Sequence, residues 1–529
     1  MAAALTLFAS AAFSADVMRV EGAPVTSTKA EEAVFWRSAA DSKTTTAIMF
    51  RSLPASALKS LQEENSPDVE NGRLRAKALK IGVNRNAATE IDADTPPALN
   101  WKSNGGGYVA HWAITSPDAH GLRAALQIRA LPDSAELRFS GSAAPERVIG
   151  VVSGQEANAL RDDNQIYWTP ITEGETQNIE IFLPSPIKPE EVKVRLNAVS
   201  HLFTSAQDGF SAAPVVKASQ YCEIDVACKS SLGSSFQNTA KAVARTVTTD
   251  NAYSYGCTGT LLNDTNNSQT PYFWSANHCL ISEVGASAQS LANTLNTFWF
   301  DEAASCGGSA KNPSYTSRTG GAKILHSQAS TDTSLLQLND AAPTGSYLAG
   351  WDANSRFSSG AMIGIHHPNR DIKKVSVGKG EGKTCDTMFS SAEGGVTRSN
   401  LTLVSWSEGT TEGGSSGSGL FTLSNGNYYL RGGLQGGAAD CSNSGRAVNV
   451  ITNNSANADC YSSIYLVYDS IKQWLAPTAA PVTQYGPTRV YTGQWANANE
   501  SGWGLTVIMG FPNDAKYIFV PWYTYDSNG

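Results

Sequence analysis

The placement of the cysteines constrains this chain more than any other feature. None precedes Cys222, and all eight then fall in one stretch: Cys222, Cys228, Cys257, Cys279, Cys306, Cys385, Cys441 and Cys460. An even set confined to one segment reads as a disulfide framework made in an oxidising compartment. Clustered cysteines can also mark a zinc site, but no Cys-x-x-Cys pair occurs, and Cys222 and Cys228 stand six residues apart. Spacing alone leaves the connectivity open, with on the order of a hundred pairings for eight cysteines. One region is therefore expected to be cross-linked, and a long region before it must fold without cross-links.

At 529 residues the chain exceeds one ordinary core, and about two to four domains are expected. Charged residues make up only 16%, with a net charge of −8 and no polybasic run. No nucleic-acid or membrane partner is therefore expected. No stretch beyond the N-terminus is long and apolar enough to span a bilayer. Residues 1–15 read as a signal peptide: Ala2 to Phe13 is apolar, and Ala12-Phe13-Ser14-Ala15 is a rough cleavage zone. No Lys or Arg precedes that run, so the charged start of such a peptide is expected to be missing; an ordinary buried segment is the alternative.

Residues 16–217 form a cysteine-free block with strand-like alternation. Val192, Val194 and Leu196 share one face, and Asn178 to Leu183 and Glu136 to Phe139 repeat the pattern. A β-rich domain is expected, with helix near Glu31 to Phe35 and Ala55 to Glu64. Residues 218–475 place short apolar runs between Gly, Ser and Asn turns: Gly259 to Leu262, Thr297 to Phe300, Ser334 to Leu338, Tyr428 to Leu430. That is an all-β sandwich or barrel pattern. Asp469 to Leu475 reads as a short closing helix capped by Asp469 or Ser470. Residues 476–490 are a Pro/Ala/Thr linker. Residues 491–529 alternate Gly with Trp and end in Asp526-Ser527-Asn528-Gly529, a hairpin-turn signal without a second strand. A partial β module is expected there. Its tryptophans could bind glycans, or more ordinarily form a small core.

The chemistry concentrates in Asn277-His278-Cys279, Thr331-Asp332-Thr333-Ser334-Leu335-Leu336 and Gly413-Gly414-Ser415-Ser416-Gly417-Ser418-Gly419. Serine is a poor nucleophile at neutral pH. It needs an imidazole to take its proton and a carboxylate to orient that imidazole. Glycines beside it let the backbone turn its N–H groups toward a developing oxyanion. Taken singly, Ser416 could be loop, Asp332 a turn cap and His278 a core histidine.

With Cys222-Glu223-Ile224-Asp225-Val226-Ala227-Cys228, Cys257-Thr258-Gly259-Thr260-Leu261 and Ile365-His366-His367-Pro368 added, residues 218–475 resemble the bacterial lysyl endopeptidases, which are trypsin-like serine proteases. The resemblance implies a chymotrypsin-like double β-barrel, a preceding propeptide over residues 16–217, and no metal or organic cofactor. It implies Ser416 as nucleophile, His278 as general base and acid, Asp332 as orienter, and the N–H groups of Gly414 and Ser416 as oxyanion hole. His366 and His367 fall to the scaffold; His326 and the three histidines before residue 218 read as structural or surface groups. The resemblance pairs Cys222 with Cys441, Cys228 with Cys306 and Cys257 with Cys279, and leaves Cys385 to Cys460.

A cationic side chain entering a pocket needs a buried carboxylate opposite it. Asp459-Cys460-Tyr461 matches the family segment that supplies one, with Asp440 as a competitor. Trp406 matches the family's pocket tryptophan, and Gln435 stands where the family has a stacking histidine. Gly436 and Gly437 are expected beside the substrate backbone. Lys217 lies at the domain boundary, where self-cleavage would release Ala218. The residue before the nucleophile is Ser415, so the trypsin switch, in which a new amino terminus pairs with an aspartate there, has no partner.

The expectation is a secreted bacterial serine endopeptidase that cuts after lysine, acts as a monomer on proteins and peptides, and is inhibited and helped to fold by its own propeptide. Two alternatives stay open: a preference for Arg or any basic residue, and an inactive homologue working as a surface or glycan-binding protein.

Overall fold

The computed structural model describes residues 18–26, 33–38, 45–66, 69–70, 73–74, 78–91, 98–204, 219–308, 310–385, 398–443 and 457–477, plus four strands near the C-terminus. The signal-peptide segment 1–15, the Lys217–Ala218 junction and the linker beyond Pro477 lie outside the described residues. By contacts the chain divides into two compact units, Met1–Ala476 and Pro477–Gly529. In the second, strand Trp503–Gly510 pairs antiparallel with Gly493–Trp495, Tyr517–Phe519 and Trp522–Thr524.

The cysteine-free block is a β-sandwich with one helix of note, α1 (Ser56–Glu64). Its strands are β1 (Leu79–Asn86), β2 (Gly107–Thr115), β3 (Gly121–Ala130), β4 (Glu136–Gly141), β5 (Ala144–Ser153), β6 (Thr176–Pro184) and β7 (Lys193–Leu202). One sheet runs β5-β4-β6-β2 and ends on Thr46–Met49, parallel to β2; the other carries β3-β7-β1. Alternation decides the packing: Ile179, Ile181 and Leu183 of β6 meet Leu122, Leu126, Leu196 and Val199 from the facing sheet in one core. On the opposite face of β6, Glu180 is fully buried beside His111, whose Nε2 lies 3.1 Å away, and it accepts the backbone N–H groups of Arg37 and Ser38.

Those two N–H groups also account for one departure from the sequence expectation. Residues 33–36 carry no helix. The N–H groups that follow them, of Arg37 and Ser38, are taken by a buried carboxylate.

The cysteine-bearing region folds as two β-units. The first is a six-stranded half-barrel of β8 (Val243–Thr249), β9 (Tyr253–Leu262), β10 (Tyr272–Ser275), β11 (Asn296–Trp299), β12 (Ala322–Gln328) and β13 (Thr333–Leu338), ordered β11-β8-β9-β10-β13-β12. The second is a closed barrel of β14 (Ser359–His366), β15 (Lys374–Thr384), β16 (Thr402–Glu408), β17 (Gly419–Ser424), β18 (Asn427–Gly437) and β19 (Ala458–Tyr461); β19 pairs with both β16 and β18. A helix α2 (Ile464–Leu475) covers the core with Ile464, Val467, Tyr468, Ile471 and Leu475. It starts five residues before the expected Asp469, because the apolar i, i+3, i+4 stripe runs back to Ile464. Ser463 is the N-cap and makes no side-chain cap bond.

Four disulfides join Cys222–Cys441, Cys228–Cys306, Cys257–Cys279 and Cys385–Cys460. The fold is thus all-β and chymotrypsin-like. One further feature ties the halves together. β1 pairs with β7 on one edge and with β9 on the other, so the cysteine-free sandwich and the half-barrel share a single sheet. Arg19–Val20 likewise extends the second barrel through Gly350–Asp352.

Cys385–Cys460 anchors the residue after β15 to β19 and closes a sequence separation of 75 residues. Chain-entropy reasoning gives about 4 kcal/mol for such a loop. Replacing both cysteines by alanine should lower unfolding free energy by that order in a urea titration; a change under about 1 kcal/mol would show that the barrel holds β19 without the bond.

Candidate active site

His278 sits in a short helical turn, Asn277–Leu280, directly after β10. The Cys257–Cys279 disulfide clamps that turn to β9. Asp332 occupies the corner between β12 and β13 with φ +51°, a left-handed conformation that aspartate tolerates better than most residues. The corner aims its carboxylate at His278 twice. Oδ1 accepts the His278 backbone N–H at 3.0 Å, and Oδ2 lies 2.8 Å from Nδ1. Both residues are buried, at 1% exposure each. Burial alone would raise the Asp332 carboxyl; His278 and the Arg398 guanidinium, 3.5 Å from Oδ1, outweigh it and hold the carboxyl below its ordinary value. This geometry assigns the proton to Nδ1 and leaves Nε2 as the free acceptor. Nε2 is buried with no hydrogen-bond partner among the described residues.

Ser416 lies in a tightly tied loop. Ser415 N–H donates to Glu412 O at 3.0 Å, Ser418 N–H to Ser415 O at 3.0 Å and Gly417 N–H to Leu434 O at 2.8 Å. From β9, Thr258 N–H donates to Ser416 O at 2.8 Å and the Thr258 hydroxyl to Gly414 O at 2.9 Å. Gly414 and Gly417 have φ of +92° and +81°. At Gly417 a Cβ would also stand 2.3 Å from the Ser275 hydroxyl, so only glycine fits there. The N–H groups of Gly414 and Ser416 reach no acceptor among the described residues. The structure shows no hydrogen bond between Ser416 and His278.

The neighbouring histidines are tied into the scaffold. His366 Nδ1 is 2.8 Å from the Ser415 hydroxyl and Nε2 is 3.0 Å from that of Ser376. Burial pulls its pKa down to about 3, so it is neutral. His367 Nδ1 donates to Asp371 O at 3.1 Å, and burial likewise keeps it neutral. Cys257, His278 and Cys279 lie close enough to suit a metal, but both sulfurs are spent in one disulfide and no thiolate remains to ligate.

β19 carries a second buried aspartate. Asp459 lies between β16 and β18, opposite Val404 and Gly437. Oδ2 accepts Trp406 Nε1 at 2.6 Å and the Thr411 hydroxyl at 2.8 Å. Oδ1 is buried without a hydrogen bond of good geometry and faces Gly437, where a Cβ would come within 2.3 Å. Burial pushes this carboxyl up to about 6, against donation from Trp406, Thr411 and the Ala439 backbone. Trp406 packs edge-on against Tyr461, ring centroids 5.9 Å apart. Gln435 is buried at 1% exposure, both ends of its amide without a hydrogen-bond partner among the described residues. Gly436 adjoins it with φ +144°. The competing Asp440 is half-buried and already bound to Gln220 Nε2 and Ser442 N–H, each at 2.8 Å.

Two contributors escape the sequence reading. Thr411 could have been noticed, since Gly409-Thr410-Thr411-Glu412 leads straight into the glycine run. Nothing in the sequence marks Arg398, which reaches Asp332 across a separation of 66 residues.

A half-barrel and a barrel with a histidine–aspartate pair and a glycine-wrapped serine define a chymotrypsin-fold serine endopeptidase. Family comparison makes the assignment specific. Residues 216–461 match the lysyl endopeptidase C-terminal domain and residues 49–203 the lysyl endopeptidase N-terminal domain. A lysyl endopeptidase of Pseudomonas aeruginosa is 36% identical over 418 residues, covering 75% of this chain and 82% of that protein. The chain belongs to the lysyl endopeptidase family. Among solved structures, a Mycobacterium tuberculosis protease in its active form covers 49% of this chain and 90% of its own at 14% identity and TM-score 0.29. A Yersinia pestis serine endoprotease covers 45% and 64% at 13% and 0.28. Scores this low add nothing to the family evidence.

Asp332→Asn should reduce kcat by roughly 10⁴-fold, because an amide donating to Nδ1 selects the wrong tautomer. Its effect on stability has a sign set by the lowered carboxyl. The charged form stabilises the fold above the ordinary carboxylate range, and that contribution is lost as pH falls through the lowered value. The variant should therefore be less stable than wild type at pH 7, with the gap closing as pH falls through the lowered carboxyl value.

Proposed function

We propose that Ser416, His278 and Asp332 act as the catalytic triad of a secreted endopeptidase that cuts on the carboxyl side of lysine, with residues 16–217 as its propeptide. The supporting observation for lysine is Asp459: a fully buried carboxylate with one oxygen bound twice and the other without a hydrogen bond of good geometry among the described residues, facing glycine backbone. An ammonium group reaching Oδ1 would satisfy that oxygen and restore the charge that burial opposes. Trp406 and Thr411 fix the other oxygen, so the bare one cannot turn away.

In the proposed reaction His278 Nε2 takes the Ser416 proton as Oγ attacks the lysine carbonyl. The Gly414 and Ser416 N–H groups receive the oxyanion. Collapse breaks the C–N bond, and His278 returns the proton to the departing amine. Water then repeats the sequence on the acyl ester. Asp332 stays ionised and steadies the imidazolium. Secretion is supported by the four disulfides; among the described residues, no helix is long and apolar enough to cross a membrane.

An arginine preference is the second reading, since the same carboxylate could take a guanidinium. Its planar fork needs two acceptors, and Asp459 offers one. Self-release at Lys217 would activate by clearing the cleft, since Ser415 is engaged by His366 and no aspartate waits there for a new amino terminus.

Asp459→Asn should cut kcat/KM for Lys–X peptides by roughly 10²–10³-fold, the order for leaving a buried charge unpaired. Because the folded carboxyl is raised to about 6, ionising it costs stability as pH rises through that value. The variant should be more stable than wild type at pH 8 by on the order of 3 kcal/mol and equal to it below about pH 4. Undiminished Lys–X cleavage by Asp459→Asn would refute the pocket assignment; Arg–X cleaved as fast as Lys–X would refute the lysine preference. An unlabelled Ser416 after fluorophosphonate treatment would remove the proposed nucleophile.

A further inference from the structure

Two disulfides, Cys222–Cys441 and Cys228–Cys306, bracket a segment that reaches the serine loop. Its backbone is pinned to the start of β15, where Val375 N–H donates to Ile224 O at 2.9 Å. Glu223 is buried in this segment. Its side chain is 1% exposed, and neither carboxyl oxygen has a hydrogen-bond donor among the described residues. Lys374 is the cation that acts on it, and Lys374 Nζ is committed to Asp225 at 2.6 Å and to Asp371 at 3.5 Å. Glu412, Asp371 and Asp459 all add to the cost of a negative charge there. Burial first, and Glu412 next, raise the Glu223 carboxyl well above its ordinary value. Glu223 is therefore a neutral carboxylic acid with one O–H to donate.

The acceptor is Glu412. The two side chains meet in a hydrogen bond, and two carboxyl groups can share one only with a proton between them. Glu412 Oε1 also accepts the Gln220 N–H at 2.7 Å, which makes it the member that keeps the charge. Glu412 opens the run to the proposed nucleophile, and Ser415 is tied to it twice. Ser415 N–H donates to Glu412 O at 3.0 Å, and Glu412 N–H to the Ser415 hydroxyl at 3.3 Å. The protons beyond Ser415 run in one direction. The Ser376 hydroxyl donates to Thr410 O, so it accepts His366 Nε2–H, and His366 Nδ1 accepts the Ser415 hydroxyl. Glu223 Oε2 lies 3.8 Å from that Nε2. An ionised Glu223 would draw Nε2–H away from Ser376 and repel Glu412, disturbing both anchors of Ser415. Ser415 stands between Gly414 and Ser416, whose N–H groups reach no acceptor among the described residues.

We propose that Glu223 is a positioning residue for the serine loop: its carboxyl O–H donates to the Glu412 carboxylate, and through Glu412 and Ser415 it keeps the Gly414 and Ser416 N–H groups aimed at the oxyanion. This rests on the triad proposed above. A buried acid and its conjugate partner thus brace the loop that, in trypsin-type enzymes, a new amino terminus braces through the residue before the nucleophile.

The test compares wild type, Glu223→Gln, Glu223→Leu, Glu412→Leu and the double Leu variant, each expressed as the full chain and purified in processed form, on one Lys–X peptide amide at pH 8. Glutamine keeps a donor and cannot ionise, so Glu223→Gln should keep kcat within about threefold of wild type. Glu223→Leu should lose roughly 10²-fold in kcat, the order for a small misplacement of reacting groups, with KM unchanged because Asp459 keeps its donors. Glu412→Leu should lose as much, and the double variant no more, as expected of residues acting as one unit. A difference infrared spectrum, wild type minus Glu223→Gln, should show the C=O band of a protonated carboxyl at pH 8, a readout that needs neither Leu variant to fold. Any of four results overturns the inference: wild-type kcat in Glu223→Leu, a loss in Glu223→Gln equal to that in Glu223→Leu, additive losses in the double variant, or no such band. A wild type that neither cleaves Lys–X nor takes a fluorophosphonate at Ser416 removes the triad reading instead.

Discussion

A fully buried carboxylate keeps its charge only where fixed donors and positive groups replace the water it has lost. Asp332 meets that condition completely. Its two oxygens take the N–H and the Nδ1–H of one residue, His278, with Arg398 behind. A single donor would allow the imidazole to swing; two donors from one residue fix both its ring and its backbone. The left-handed corner at Asp332, the short turn at His278 and the disulfide beside it all serve this contact. Asp459 is the contrasting case. It is as deeply buried, but its donors reach only one oxygen, and its carboxyl is pushed up rather than down. The two aspartates are equally buried and differ in which oxygens their donors reach and in the positive charge beside them. Asp332 has both oxygens bonded and a guanidinium beside it, whereas Asp459 has one oxygen without a hydrogen bond of good geometry and no cation beside it among the described residues.

The protein spends glycine and sulfur on bringing these groups together. The loop bearing Ser416 cannot form regular structure, because Gly414 and Gly417 take conformations that other residues resist. Its rigidity comes from outside, through Thr258 of β9 and Leu434 of β18. The serine is therefore tied to the half-barrel and to the barrel at once, and His278 is tied to the half-barrel by sulfur. Relative motion of the two halves would be resisted at the reacting atoms themselves, as a pre-organised site requires.

Much of this arrangement was legible in the residues. Alternation marked β4, β6 and β7 because each buries one apolar face, and the period of two is insensitive to what lies opposite. His278, Asp332 and Ser416 were found because each lies in a distinctive local wrapping. Asp459 was reached by resemblance; its own neighbours do not reveal that it is buried. Arg398 was invisible, since a surface-type residue becomes a partner of Asp332 only through a long-range approach. Residues 33–35, the described part of the helix expected near Glu31 to Phe35, carry none for a related reason: apolar residues suggested a local element, while a distant carboxylate, Glu180, claimed the adjoining backbone. Elements set by their own period can be read from sequence. Elements set by a partner more than a hundred residues away cannot.

The pairing of strand β1 with β9 is of that second kind. Leu-Lys-Ile-Gly-Val-Asn-Arg-Asn alternates through Leu79, Ile81 and Val83, as a strand does, but nothing in it announces a partner beyond its own domain. Its edge pairing to β9 follows from an unmet requirement on each side. The half-barrel presents Tyr253 to Gly256 as an open edge, and the sandwich presents β1 beyond β7 as another. Exposed edges are templates for pairing, and joining the two removes both at once. The same joining completes one sheet and lays the Leu79 side chain against Gly413, in the glycine run that leads to Ser416.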